Sequence, residues 1–160
     1  MNAIEMLTKQ HREMEGALKA ALDAEGARRR ALFEEAADVL MSHVLVEERV
    51  FYPAVKAKRT EDILLESLEE HLSLKRVLAD LLALAATDDH VEPKLHVLEE
   101  QARHHHKEEE EKLFPTVKRL LDATELDELG TRMGEEQAKL LAATPRELAR
   151  AQTKAATELA

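Results

Sequence analysis

Two copies of one motif constrain this chain more than any other feature. The first is His43-Val44-Leu45-Val46-Glu47-Glu48-Arg49-Val50-Phe51-Tyr52-Pro53. The second is His105-His106-Lys107-Glu108-Glu109-Glu110-Glu111-Lys112-Leu113-Phe114-Pro115. Each sets a Glu four residues after a His and closes with an apolar pair running into Pro. On a helix, a four-residue step is about 40° of rotation, so each His and its Glu share a face one turn apart. One such pair is common. Two, in the same frame relative to Pro, predict a metal site assembled from two halves.

The rest of the sequence says what carries these halves. A chain of 160 residues is long enough for one domain with its own core. Four Gly and four Pro leave few breaks, and abundant Ala, Leu, Glu, Lys and Arg read as all-helical. With three Phe, one Tyr and no Trp, the core has to come from Leu, Val, Ile, Ala and Met. A formal net charge of −10 argues against nucleic acid, whose phosphates call for a basic face. It favours a soluble monomer suited to cations. The absence of Cys excludes disulfides and thiolate metal sites. No run of 18 apolar residues predicts a membrane span, and the first residues lack a signal-peptide pattern, so a cytoplasmic protein is expected.

Apolar residues recur at steps of three and four through four long stretches, near residues 2–23, 27–58, 61–86 and 91–121. His11 lies in the first seam, with Ile4, Leu7, Met14 and Leu18. His43 and Glu47 interrupt the second, between Leu40 and Val50, with Ala54 expected to continue it. His71 and Lys75 stand in the third, between Leu68 and Leu78. His105 and Glu109 stand in the fourth, between Ala102 and Leu113. Pro53 and Pro115 are expected to kink their helices or begin a new turn. A fifth helix over 125–142, capped by Thr124, completes a domain of residues 1–142. Residues 143–160 are expected to be a tail, as a weak helix or frayed. The chain thus reads as two repeats of one helical hairpin, each with a His on its first helix and His-x-x-x-Glu on its second. Short connections then predict an all-α, up-down-up-down four-helix bundle with a short added C-terminal helix.

Four His and two Glu at similar depth in a core are costly unless satisfied, and a metal satisfies them. Neutral imidazoles donate nitrogen, while carboxylates bind, bridge and offset cationic charge. This set matches a di-iron or di-manganese carboxylate site better than one tetrahedral zinc. Within His104-His105-His106, only His105 lies on the seam and aligns with the first copy. His104 and His106 are displaced by about 100° to either side.

These residues resemble the hemerythrin-like (HHE cation-binding domain) family. The resemblance runs through His11, His43-x-x-x-Glu47, Phe51-Tyr52-Pro53, Glu70-His71, His105-x-x-x-Glu109 and Leu113-Phe114-Pro115, covering roughly residues 1 to 140. It implies a four-helix bundle holding two non-haem irons, oxo-bridged. Glu47 and Glu109 would bridge them, His11 and His43 would serve one iron, and His71 and His105 the other. One departure stands out. Oxygen-carrying members have a second His four residues after that of the third helix, and here that position is Lys75, which cannot ligate while protonated. The second iron would then keep an open position, or take a carboxylate such as Glu15 or Glu48, or water. That favours reaction with peroxide, in catalase-like disproportionation. The alternatives are a module that binds or senses oxygen, nitric oxide or iron without turnover, and a structural bundle whose site is filled by zinc or left empty.

Overall fold

The computed structural model describes residues 1–160, and every regular element in it is helical. Asn2 starts the first helix, α1 (Ala3–Asp23), with a capping box. Its side chain accepts from the Glu5 N–H, and the Glu5 carboxylate accepts from the Asn2 N–H. The chain turns into α2 (Gly26–Val46) through Gly26, whose φ of 58° is the left-handed conformation that Gly adopts without strain. Arg29 at this corner donates to the Ala21 and Leu22 carbonyls, satisfying the open end of α1.

The second stretch is not one helix. After α2 comes a π-helical turn, Glu47–Phe51, and then α3 (Tyr52–Val55). The fourth stretch repeats this: α5 (Val91–Glu108), a π turn at Glu109–Leu113, then α6 (Phe114–Leu120). Pro supplies the reason. It has no N–H to give to the carbonyl four residues back, and its ring crowds that carbonyl. The Tyr52 and Phe114 N–H groups instead reach five residues back, to the carbonyls of Glu47 and Glu109, and Pro sits in the first turn of the next helix.

The extra residue in each wide turn rotates the downstream helix by about 100°. The seam expected to run through Val50 and Ala54 is therefore displaced. Val50 is half-buried and Ala54 exposed, while Phe51, Tyr52 and Val55 are buried.

Between the interrupted helices lies α4 (Glu61–Ala83), whose buried face carries Leu64, Leu68, His71, Lys75, Leu78 and Leu82. It packs against α5 and α2, and α1 packs against α2 and α5, so the four long helices close a ring around one core. Arg30 of α2 donates to the carbonyls of Leu81, Leu82 and Leu84, tying the end of α4 to the first hairpin.

Outside the ring, α7 (Ala123–Ala142) packs on α1 and α2. Its cap is Asp122, in a capping box with Glu125, two residues before the expected Thr124. The chain then makes a 3-10 turn at Pro145–Glu147 and a short helix, α8 (Leu148–Ala151), which packs on α4. The segment beyond α8 has no regular structure, but Ala156 and Leu159 pack on the core. Arg76 holds the Thr153 and Lys154 carbonyls. No helix is long and apolar enough to cross a membrane.

Candidate metal centre

Each long helix delivers one imidazole to the core: His11 from α1, His43 from α2, His71 from α4 and His105 from α5. The two π turns each open on the Glu of the repeated motif, Glu47 and Glu109. All six side chains are buried, none more than 1 % exposed. Glu47 Oε1 lies 3.1 Å from His43 Nε2 and 3.3 Å from His71 Nε2. Glu109 Oε1 lies 3.3 Å from both His11 Nε2 and His105 Nε2. Each carboxylate therefore touches one imidazole from each hairpin. His71 Nε2 and His105 Nε2 stand 3.0 Å apart.

The far side of each ring is anchored. His11 Nδ1 meets Glu110 Oε2 at 2.8 Å, His43 Nδ1 meets Gln10 Oε1 at 2.8 Å, His71 Nδ1 meets Glu48 Oε2 at 2.9 Å, and His105 Nδ1 meets Glu70 Oε1 at 2.8 Å. With a proton on Nδ1 donated outward, the Nε2 lone pair faces the centre, which is the orientation a metal-binding histidine needs. Gln10 is itself fixed by Gln137 of α7.

Several inward atoms make no hydrogen bond. His11 Nε2, His43 Nε2, both Glu47 oxygens and Glu109 Oε1 are buried without a hydrogen bond. Orphaned polar atoms in a core are costly, and so many converging on one point fit a cation between them.

Three further residues belong to this centre. His106, whose seam displacement suggested that it lies to one side, is buried. Its ring stacks on that of His11 with centroids 4.0 Å apart, and neither nitrogen has a partner. Its nitrogens come within range of those of His11 and His43 as a group able to hold one ion. The core-facing arc of α5 is wide enough for two adjacent residues, and the four-residue row Leu98, Ala102, His106 carried that signal. Tyr52 is the second. Its hydroxyl donates to Glu109 Oε2 at 2.8 Å and lies 3.2 Å from His71 Nε2. It turns inward only because of the π turn, which no periodic pattern announces.

Glu48 is the third. Named above as a candidate extra ligand, Glu48 is buried and binds His71 on one side and Lys75 Nζ at 2.8 and 2.9 Å on the other. Lys75 thus points away from the centre, into an ion pair. Glu15 is half-buried, pairs with Arg12 and stands 3.7 Å from His106 Nδ1. His104 is exposed.

The electrostatics follow from this packing. Burial alone would raise the Glu48 carboxyl, but the hydrogen bond from His71 and the Lys75 ammonium hold it down to about 2. Burial drives His106 far down, helped by the neighbouring His11 and His43 rings, so it stays neutral. Burial also lowers His43. Burial and the Glu109 and Glu47 carboxylates keep the Tyr52 phenol protonated.

Fold and site together define a class: all-helical proteins that gather imidazoles and carboxylates in a buried cation-binding centre. Residues 2–117 match the profile of the Hemerythrin HHE cation binding domain, and the chain belongs to that family. No curated protein matches it in sequence. The structure is similar to the crystal structure of a Hemerythrin HHE cation binding domain-containing protein, an Rv2633c homolog from Mycobacterium kansasii. The TM-score is 0.80 at 24 % identity, over 96 % of this chain and 94 % of the other.

Proposed function

We propose that this chain is a non-haem di-iron protein that binds small oxygen species and reacts with them, peroxide first. In this reading Glu47 and Glu109 would serve both irons, His11, His43 and His106 would hold one, and His71 and His105 would hold the other beside Tyr52. The observation that carries it is the set of buried, unpartnered Nε2 and carboxylate atoms converging from two hairpins, each imidazole anchored behind. Two carboxylates offset much of the charge of two cations, and no thiolate competes for softer metals. The ring of α1, α2, α4 and α5 is read as an up-down-up-down bundle, supported by the tight corner between α1 and α2.

An iron pair supplies two oxidation states at each ion and Lewis acidity toward oxygen ligands. The protein supplies the rest. Gln10, Glu48, Glu70 and Glu110 hold the four anchored imidazoles in the tautomer that presents Nε2. Burial keeps bulk water from the six side chains. The Tyr52 hydroxyl holds a proton at the centre, which it donates to Glu109 Oε2 at 2.8 Å.

A second reading, binding or sensing of oxygen, nitric oxide or iron without turnover, is favoured by one observation. Lys75 is taken up in an ion pair with Glu48 and the Tyr52 hydroxyl stands 3.2 Å from His71 Nε2, so the His71 side is not simply open. Oxygen release from peroxide by the iron-loaded protein separates the two. Release that is lost in Glu109→Gln supports the first. A silent protein that takes up oxygen or nitric oxide stoichiometrically supports the second.

A further inference from the structure

The outer acceptors of His43 and His11 are held from long helices, Gln10 by Gln137 of α7 and Glu110 by Arg12 of α1. The acceptor of His71, Glu48, is instead clamped from the irregular segment after α8. The Thr157 hydroxyl donates to Glu48 Oε1 at 2.7 Å, and Lys75 Nζ, bound to both Glu48 oxygens, lies 3.3 Å from the same hydroxyl. The segment is fastened nearby by Arg76, which holds the Thr153 and Lys154 carbonyls. It lies beyond the part of the chain that matches the family profile, residues 2–117.

We infer that Thr157 is a positioning residue for the cation centre: with Lys75 it fixes the Glu48 carboxylate that orients His71, which couples the segment 152–160 to occupancy of the centre. The inference rests on the proposed metal reading. Its chemistry is directional. Glu48 offers Oε2 to His71 and Oε1 to Thr157, so the hydroxyl fixes the carboxylate in the one rotation that serves the imidazole. Without it, Lys75 is the one group besides His71 itself that holds Glu48, and an ammonium on a flexible stem follows a carboxylate that turns. A ring whose anchor turns presents Nε2 less well, and losing such an outer partner weakens metal binding by roughly 10–100-fold. Coupling is reciprocal: if the clamp favours the metal, the metal favours the clamp.

The test uses the full chain loaded anaerobically with ferrous iron, as wild type, Thr157→Val and Thr157→Ser. Release to a chelator is followed with the near-ultraviolet spectrum after oxidation, and hydrogen exchange of residues 152–160 is measured with and without iron. The expected result is that Thr157→Val releases one iron about tenfold faster, the other within about twofold of wild type. Thr157→Ser should restore wild-type release, and iron should slow exchange in the segment. Unchanged release in Thr157→Val, equal acceleration of both irons, or failure of Ser to rescue overturns the inference. If wild type binds two irons while Thr157→Val behaves identically, only this inference falls. If wild type takes up no iron, the metal reading falls with it.

Discussion

Each imidazole in the core carries two tasks, one per nitrogen, and the residues beside the motif decide whether both are met. Gln10 precedes His11, Glu48 follows Glu47, Glu70 precedes His71 and Glu110 follows Glu109. Each is one position from a seam residue and reaches across to an imidazole on another helix. That arrangement explains why the inward placement of the six seam residues was legible from the sequence and the pairing of their four neighbours with particular imidazoles was not. Periodicity identifies which residues face inward; it carries no information about which neighbour across a helix interface accepts a proton. His106 was legible in principle, through its four-residue row, but the neater alignment of His105 masked it. Because His106 is buried with both nitrogens free while His104 is exposed, the two should separate cleanly. His106→Ala should weaken iron binding by at least about tenfold in a chelator competition, and His104→Ala should leave it unchanged.

Glu48 gives a pH signature at the same scale. Its carboxyl lies at about 2 in the fold, below its ordinary value of 4.5. Its contribution is therefore complete above pH 4.5 and is lost as pH falls through about 2. The shift corresponds to on the order of 3 kcal/mol. Metal-free Glu48→Gln should be less stable than wild type at neutral pH, with Lys75 left buried and unpaired, and the gap should close toward pH 2. Urea unfolding at several pH values checks this, and a gap independent of pH would contradict it.

At the scale of elements, the seams of α1 and α4 read directly from the sequence because nothing interrupts their period. The motif helices read correctly only as far as Glu47 and Glu109. There Pro53 and Pro115 force a wide turn, and a seam extrapolated through it lands on the wrong face, as Ala54 shows. The helix outside the ring, α7, offers a test of packing through two of its glycines. A Cβ on Gly130 would sit 2.5 Å from the Met1 carbonyl oxygen, whereas Gly134 has nothing within 4 Å. Gly130→Ala should destabilise by about 1–3 kcal/mol, since backbone must move. Gly134→Ala should stabilise by about 0.5–1 kcal/mol through helix propensity. Denaturant melts of the two variants should therefore shift in opposite directions.

For the whole molecule, the helical class was evident because composition, seam length and scarce Gly and Pro agree. The segment after α7 was not, because residues 143–160 hold to the rest through particular contacts, Arg146 with Asp38, Arg150 with the Leu82 carbonyl and Thr157 with Glu48, rather than through a repeating pattern. A ligand that binds only the folded chain stabilises it as a unit, by about 2.7 kcal/mol at a hundred times its dissociation constant. Iron loading should accordingly raise the unfolding temperature, and chelation should reverse the rise. Acid should strip the metal before it unfolds the helices, because ligation requires neutral imidazoles and ionised carboxylates.

Metal content after anaerobic ferrous loading tests directly whether two hairpins share one dinuclear centre through Glu47 and Glu109. About two irons per wild-type chain are expected, and Glu47→Ala and Glu109→Ala variants should retain their helix content but hold neither iron stably. One iron or fewer per wild-type chain, or full stoichiometry in either variant, would contradict the shared centre.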